Sequence, residues 1–417
     1  MKFLPIFTAV VLATCRMNAS DSAIASSAVN GLGIELYGKL AKADANLCIS
    51  PLSIQTALVM AYAGADGQTR QEMAKVLGYA ADDKALNGSF SALAASLDKM
   101  CNASAERVKQ SKQYGSKSDP IVLTIANRLF GEKGYAFRPP FLDLLSGIYR
   151  SPLEEMDFAG NPEKARAHIN GWVEDQTKKR IRDLIPKDGV SKTTRLVLAN
   201  ALYLKAPWEK EFNEHGTNSE PFHIHGKEPA DAPTMIGKLW ARYSKEGGYT
   251  ALALPYAGGD LQFVILLPEK ADGLGGLESK LSSSMFAKCA AMPEQEVIVH
   301  LPKFKLESSS IPLGAELRAL GMKTAFDSPV GSANFDRMAP RRPDDYLFIS
   351  EVFHKTFIAV DEHGTEAAAA TAVVMAAGAA MRATPPPEVR VDHPFIFAIQ
   401  HVGSGACLFL GRVSDPR

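Results

Sequence analysis

Residues 364–389 read GTEAAAATAVVMAAGAAMRATPPPEV, and local rules pull this stretch in different directions. Alanine is the best helix former, so the first half favours a helix. Yet the stretch opens on Gly364, has no polar face, and ends in Pro385, Pro386 and Pro387, which no helix interior accepts. From Ala367 to Met381 it carries no charge. That run falls short of the roughly 20 residues needed to span a bilayer as a helix. Neither a surface helix nor a membrane span accounts for it.

The rest of the chain is ordinary in composition. It has 417 residues, 46% apolar and 22% charged, within the globular range. Lys+Arg and Asp+Glu are both 46, so the formal net charge is zero. That balance removes any general electrostatic case for nucleic acid or an anionic membrane as partner. A local basic cluster of Arg107, Lys109, Lys112 and Lys117 reads as a solvated loop.

Residues 1–20 read as a targeting segment. Lys2 precedes an apolar run from Phe3 to Ala13, followed by TCRMNASDSA, the order of a short secretory signal. Leu12-Ala13-Thr14-Cys15 resembles a lipoprotein cleavage site, at which Cys15 would be lipidated. Thr14 departs from the small residues usual there, and ordinary cleavage a few residues on is the alternative. The expected location is therefore secreted or periplasmic, with a lipid anchor at Cys15 as the variant. Cysteines stand at 15, 48, 101, 289 and 407, with no metal-ligand or CxxC spacing. Cys48 and Cys407 lie in apolar runs and read as buried free thiols.

Strand-like segments are 121–130, 194–204, 250–256, 261–268, 296–304, 346–364 and 393–413. Helical periodicity runs through 26–43, 51–63 and 163–184. Helix-rich and strand-rich parts are mixed rather than alternating, which favours α+β over a doubly wound parallel sheet. With no internal repeat or long linker, residues 25–417 read as one domain. No HExxH, phosphate-binding loop, dinucleotide fingerprint or GxSxG elbow occurs. His223-x-His225 could put two imidazoles on one strand face, but no third ligand lies nearby in sequence.

Several stretches together resemble the serpin family of protease inhibitors. NLCISPLSIQTALVMAYAGADGQTRQEM (46–73), INGWVEDQTKKRIRDLI (169–185) and LVLANALYLKAPWEKEF (196–212) are similar to the family's first three signatures. VDEHGTEAAAATAVV (360–374) resembles its hinge, and VDHPFIFAIQ (391–400) with LFLGRVSDP (408–416) its C-terminal signature. These motifs are in the family's order and span nearly the whole mature chain. The resemblance implies three β-sheets, about eight or nine helices, and an exposed reactive-centre loop at about 362–388. It also implies a monomer without cofactor or metal. That monomer would not turn over substrate but would trap a serine protease, or a cysteine protease, as an acyl-enzyme while the cleaved loop joins the central sheet.

Insertion of that kind dictates composition. Residues entering a sheet must be small and free of uncompensated charge. If Glu366 stays in solvent, strand alternation points Thr365, Ala367, Ala369, Thr371, Val373 and Met375 inward, all uncharged. Glu362, Gly364, Thr365, Glu366 and Ala367, Ala368, Ala369 and Ala370 form the hinge, with Gly364 as a permissive pivot. By the same resemblance, Ser50, Ser53, Asn170, Asn200 and His354 match the polar cluster beneath the central sheet. Lys303 and Glu362 match a salt bridge at its top, near Trp208. Counting seventeen residues from Glu362 puts the reactive bond at Gly378–Ala379, and Thr365 to Gly378 can span roughly 46 Å as a strand. Counting back from PPEV gives Ala383, and Ala377, Met381 and Arg382 are further alternates. The small residues of MAAGAAM suit an elastase-like or subtilisin-like protease, whereas cleavage after Arg382 would suit a trypsin-like one. A non-inhibitory member acting as carrier or chaperone is the alternative function.

Overall fold

The computed structural model describes residues 21–41, 45–80, 82–116, 118–224, 227–366 and 385–417. The targeting segment with Cys15 lies outside them, as do Lys117 and His225. Among the described residues the helices are α1 (Ala23–Leu40), α2 (Pro51–Gly64), α3 (Gly67–Leu77), α4 (Asp83–Lys112), α5 (Pro139–Gly147), α6 (Pro162–Gln176), α7 (Leu274–Glu278), α8 (Ser283–Ala291) and α9 (Gly314–Leu320). Helix α2 starts where Ser50 accepts the Ser53 N–H and Pro51 fills the first turn, two start signals in one dipeptide. It is apolar nearly all round and correspondingly buried between the sheets. The basic cluster read as a loop is instead helical, since Arg107, Lys109 and Lys112 belong to the last turns of α4. Cations near a helix C-terminus complement its dipole.

One sheet carries nine strands in the order β1 (Leu47–Ile49), β16 (Cys407–Val413), β15 (Phe395–His401), β8 (Leu261–Pro268), β7 (Tyr249–Pro255), β6 (Ala230–Glu246), β9 (Glu294–Pro302) and β14 (Glu388–Arg390), with β5 (Asn218–Phe222) on β6. Strand β6 is long enough to serve two partners. It pairs with β9 over Thr234–Arg242 and with β7 over Arg242–Glu246. Two of the three sheets implied by the sequence are thus stitched into one hydrogen-bonded network. The other sheet has seven strands, ordered β10 (Phe304–Glu307), β12 (Ile349–Asp361), β13 (Gly364–Thr365), β4 (Leu196–Pro207), β2 (Val122–Glu132) and β3 (Glu154–Met156), with β11 (Ile311–Pro312) also on β12.

Strand β4 is buried along almost its whole length, as expected for a central strand covered on both faces. Alternation divides its side chains between two cores. Leu198, Leu202 and Ala206 face the main core, whereas Val197, Ala199 and Ala201 join Phe353 and Phe357 of β12 in a second one. Helix α6 and the segment after it close that second core with Ile169, Val173, Ile181 and Ile185. The helical pattern read through residue 184 ends at Gln176. Lys178 and Lys179 adopt positive φ, so the chain turns there instead of continuing the helix.

Candidate functional site: a hinge wedged into the central sheet

Strands β4 and β12 run parallel and pair directly from Leu196 and Ile349 up to Leu202 and Thr356. Above that point the sheet is already open, and β13 fills the gap. Gly364 and Thr365 pair antiparallel with Asp361 and Val360 on one side and with Pro207 and Ala206 on the other. The Glu366 N–H extends the ladder by one bond, to the Ala359 carbonyl at 2.9 Å. A two-residue turn, Glu362-His363, joins β12 to this wedge. Gly364, the expected pivot, occupies a position that sterically requires glycine. Its φ is +147°, and a Cβ there would overlap the Ala206 carbonyl oxygen.

The turn is held by polar contacts from several directions. Trp208 donates its backbone N–H to the His363 carbonyl and its indole N–H to the Asp361 carbonyl, both at 2.9 Å. Its ring stacks on Tyr256 at 4.6 Å, and the Tyr256 hydroxyl meets the Thr365 hydroxyl at 2.5 Å. Lys303 lies 2.8 Å from the Glu362 carboxylate, which also accepts the Thr217 hydroxyl at 2.6 Å. Burial works against the Glu362 charge, but Lys303 and Thr217 outweigh it and hold the carboxyl below its ordinary value.

Thr365 is buried and points to the main core, as alternation requires. Glu366 does not stay in solvent. Its side chain is 11% exposed and ion-paired with Arg180, from the segment after α6, and one carboxylate oxygen has no hydrogen-bond partner among the described residues. The outward face at this height is covered, because Arg180 of the segment after α6 reaches over it. Burial raises the Glu366 carboxyl above its ordinary value, with Arg180 opposing. Glu366 also has φ +48°, a left-handed backbone that departs from strand geometry. Ala367, Ala368, Ala369 and Ala370 lie outside the described residues, as do Thr371, Val373 and Met375. The same holds for Gly378–Ala379 and the alternates Ala377, Met381, Arg382 and Ala383.

Lower down, polar groups cross the seam between β4 and β12. Asn200 donates its amide N–H to the Phe353 carbonyl at 2.8 Å. Its amide oxygen meets His354 Nδ1 at 2.5 Å. His354 Nε2 accepts the Ser50 N–H at 3.0 Å, which fixes a neutral ring protonated on Nδ1. Complete burial pushes the His354 ring down to about 3, against a hydrogen bond to Asn200. Any strand added between β4 and β12 must break the bonds that Asn200 makes across the seam.

A family model described as Serpin (serine protease inhibitor) matches residues 27–416. The chain belongs to the serpin family. It is 39% identical over 381 residues to a leukocyte elastase inhibitor of Bos taurus, covering 89% of this chain and 93% of that protein. It is 37% identical over 376 residues to Serpin B3 of Homo sapiens, covering 89% and 94% respectively. The solved native structure of a thermophilic serpin, Tengpin, is similar with a TM-score of 0.80 at 27% identity, covering 94% of each chain.

In this serpin the polar residues matched to the cluster beneath the sheet do not all meet. Ser50, His354 and Asn200 form one chain of hydrogen bonds, which reaches Ser53 through its N–H to Ser50 Oγ at 3.1 Å. Asn170 stands apart on α6, where its amide pairs with both backbone groups of Ile185, at 2.8 and 2.9 Å. Its role is to fasten the segment after α6. Asn127 of β2 takes a place in the cluster that the sequence reading missed, accepting the Ser53 hydroxyl at 2.7 Å and donating to the Ser53 carbonyl at 2.9 Å. An amide within the apolar strand IANRLF was the available signal. Lys303 and Glu362 meet beside Trp208, and Arg180, which lies within the 169–185 stretch, is a hinge partner that the sequence did not assign.

Proposed function

We propose that this serpin inhibits serine endopeptidases by acting as a suicide substrate outside the cytoplasm, and is not a turnover enzyme. The protease serine oxygen attacks the Gly378 carbonyl, an ester forms, and the amine of Ala379 departs as a new N-terminus. The freed upstream segment then continues the β13 ladder downward between β4 and β12, carrying the acylated protease with it. Trapping succeeds when insertion outruns hydrolysis of the ester.

The observation that carries this reading is β13 itself. A hairpin turn is already closed and its returning strand is already paired on both edges, so insertion extends an existing ladder. Nucleation, the slow part of forming a hairpin, is complete before cleavage. Family membership supports protease inhibition in general. The small residues of MAAGAAM favour an elastase-like or subtilisin-like target with a shallow pocket. Export through the signal at 1–20, with lipidation at Cys15 as a variant, fits a role against extracellular or periplasmic proteases.

The test is incubation of the mature protein with an elastase, a subtilisin, a trypsin and a chymotrypsin, followed by denaturing gels. An SDS-stable adduct with elastase or subtilisin and release of a peptide beginning at Ala379 is the expected result. A peptide beginning at Ala383, with an adduct to trypsin only, moves the bond to Arg382. Clean cleavage by every protease without an adduct sinks the inhibitor reading.

A further inference from the structure

His363 sits in the turn between β12 and β13, and its ring is largely enclosed. Nδ1 lies 3.2 Å from Glu211 and Nε2 3.0 Å from Glu214, both on the chain that follows β4. The hinge turn and that chain are joined at the same place by backbone bonds, Trp208 N–H to His363 carbonyl and Phe212 N–H to Glu362 carbonyl, both 2.9 Å. An imidazole with a carboxylate at each nitrogen is a fully used double donor only when both nitrogens carry protons. We propose that His363 is a protonation-dependent clasp that seats the hinge: charged, it ties the β12–β13 turn to Glu211 and Glu214; neutral, it lets the turn and wedge leave the sheet more readily.

The charged groups around the ring point the same way. Glu211 and Glu214 face it from the chain after β4, and Asp361 faces it from β12. The neighbouring Glu362 is engaged by Lys303 on the other side of the turn, and Glu366 by Arg180 beyond the wedge. Burial alone would lower the His363 pKa, but the hydrogen bond and charge of Glu211, with Asp361 and Glu214, outweigh it and hold the ring above its ordinary value. A pKa raised in the seated state gives seating that is fully supported below the free-histidine value and weakens as pH rises through the seated value. Asp361 and Glu366, both raised by burial, bias seating in the same direction within the carboxylate range, whereas Glu362 opposes at lower pH. Near neutrality His363 is the member of this set that titrates. The hinge of this serpin is therefore seated more firmly in mildly acidic than in alkaline surroundings, whether or not a protease is ever trapped.

The experiment uses the uncleaved protein alone. The His363 ring is followed by NMR from about pH 5 to about pH 9. Exchange of the Trp208 and Glu366 amide hydrogens is measured in parallel, corrected for base catalysis. The expected result is a ring midpoint above that of free histidine, with protection of both amides falling above the free-histidine pH by about tenfold in total for each unit of elevation. Glu211→Gln with Glu214→Gln leaves the ring in place and should drop the midpoint to or below the free value, the pH dependence of protection moving with it. His363→Gln should flatten that dependence near neutrality. A wild-type midpoint at or below free histidine, or protection that does not change through the midpoint, overturns the clasp. The wild-type titration alone is decisive, so a variant that folds poorly does not rescue the idea.

Discussion

Arg180 and Glu366 form an ion pair that ties the segment after α6 to the last residue of the hinge wedge. Glu366 does two things at once. Its N–H adds a bond to β12, while its left-handed backbone departs from the extended geometry of a strand. Continuing the ladder requires Glu366 to return to an extended backbone, a change that relieves about 1 kcal/mol of local strain. It also requires α6 and its trailing segment to give way.

Removing Arg180 leaves a poorly solvated carboxylate without its cation, so Arg180→Ala is expected to weaken seating of the wedge by about 1 kcal/mol. Glu366→Gln removes the charge and should restore seating in the double variant. Amide exchange at Glu366 measures both. Equal losses in Arg180→Ala and in the double variant would show that the ion pair is not what Arg180 contributes.

Gly364→Ala puts a methyl group against the Ala206 carbonyl at a φ that alanine avoids. The wedge should leave the sheet, freeing the Thr365 hydroxyl from Tyr256 and the Asp361 carbonyl from the Trp208 indole. Indole N–H protection at Trp208 should fall by tenfold or more, about 1.4 kcal/mol, while the main core is unaffected. On the proposed mechanism the variant becomes more substrate than inhibitor, seen as more cleaved protein per adduct on gels.

His354→Ala strands the buried Ser50 N–H and the Asn200 amide oxygen, at a cost of about 2 kcal/mol to the closed seam. Conversion to latent or polymeric forms on mild heating, followed by native gels, should therefore quicken more than folding yield declines. An unchanged conversion rate counts against a seam lock. Acid should act on the same residue. The seated ring is neutral down to about 3, whereas a released histidine takes a proton near its ordinary value. The closed state is accordingly favoured above the ordinary histidine value and progressively lost as pH falls toward about 3.

Much of this was legible in the residues. The alternation that points Thr365 inward holds at the described end, where Thr365 is buried. What covers the opposite face was not legible. Glu366 looks wet in sequence because Arg180 approaches it only after Lys178 and Lys179 turn the chain, a tertiary event with no periodic signal. The exchange of Asn170 for Asn127 has a similar origin. Both amides are buried beside apolar neighbours, and only the packing of α2 against β2 decides which one Ser53 reaches. The continuous nine-stranded sheet depends on the length of β6, none of which was legible as a strand in the sequence.

The central claim of the proposed function is that the residues after Glu366 enter the sheet as a strand once the loop is cleaved. Thermal unfolding before and after proteolysis within 367–384 tests it directly. If the cleaved segment inserts between β4 and β12, the unfolding midpoint should rise by more than about 10 °C, because a strand is added to a sheet that lacked it. An unchanged or lower midpoint after clean cleavage would contradict the account.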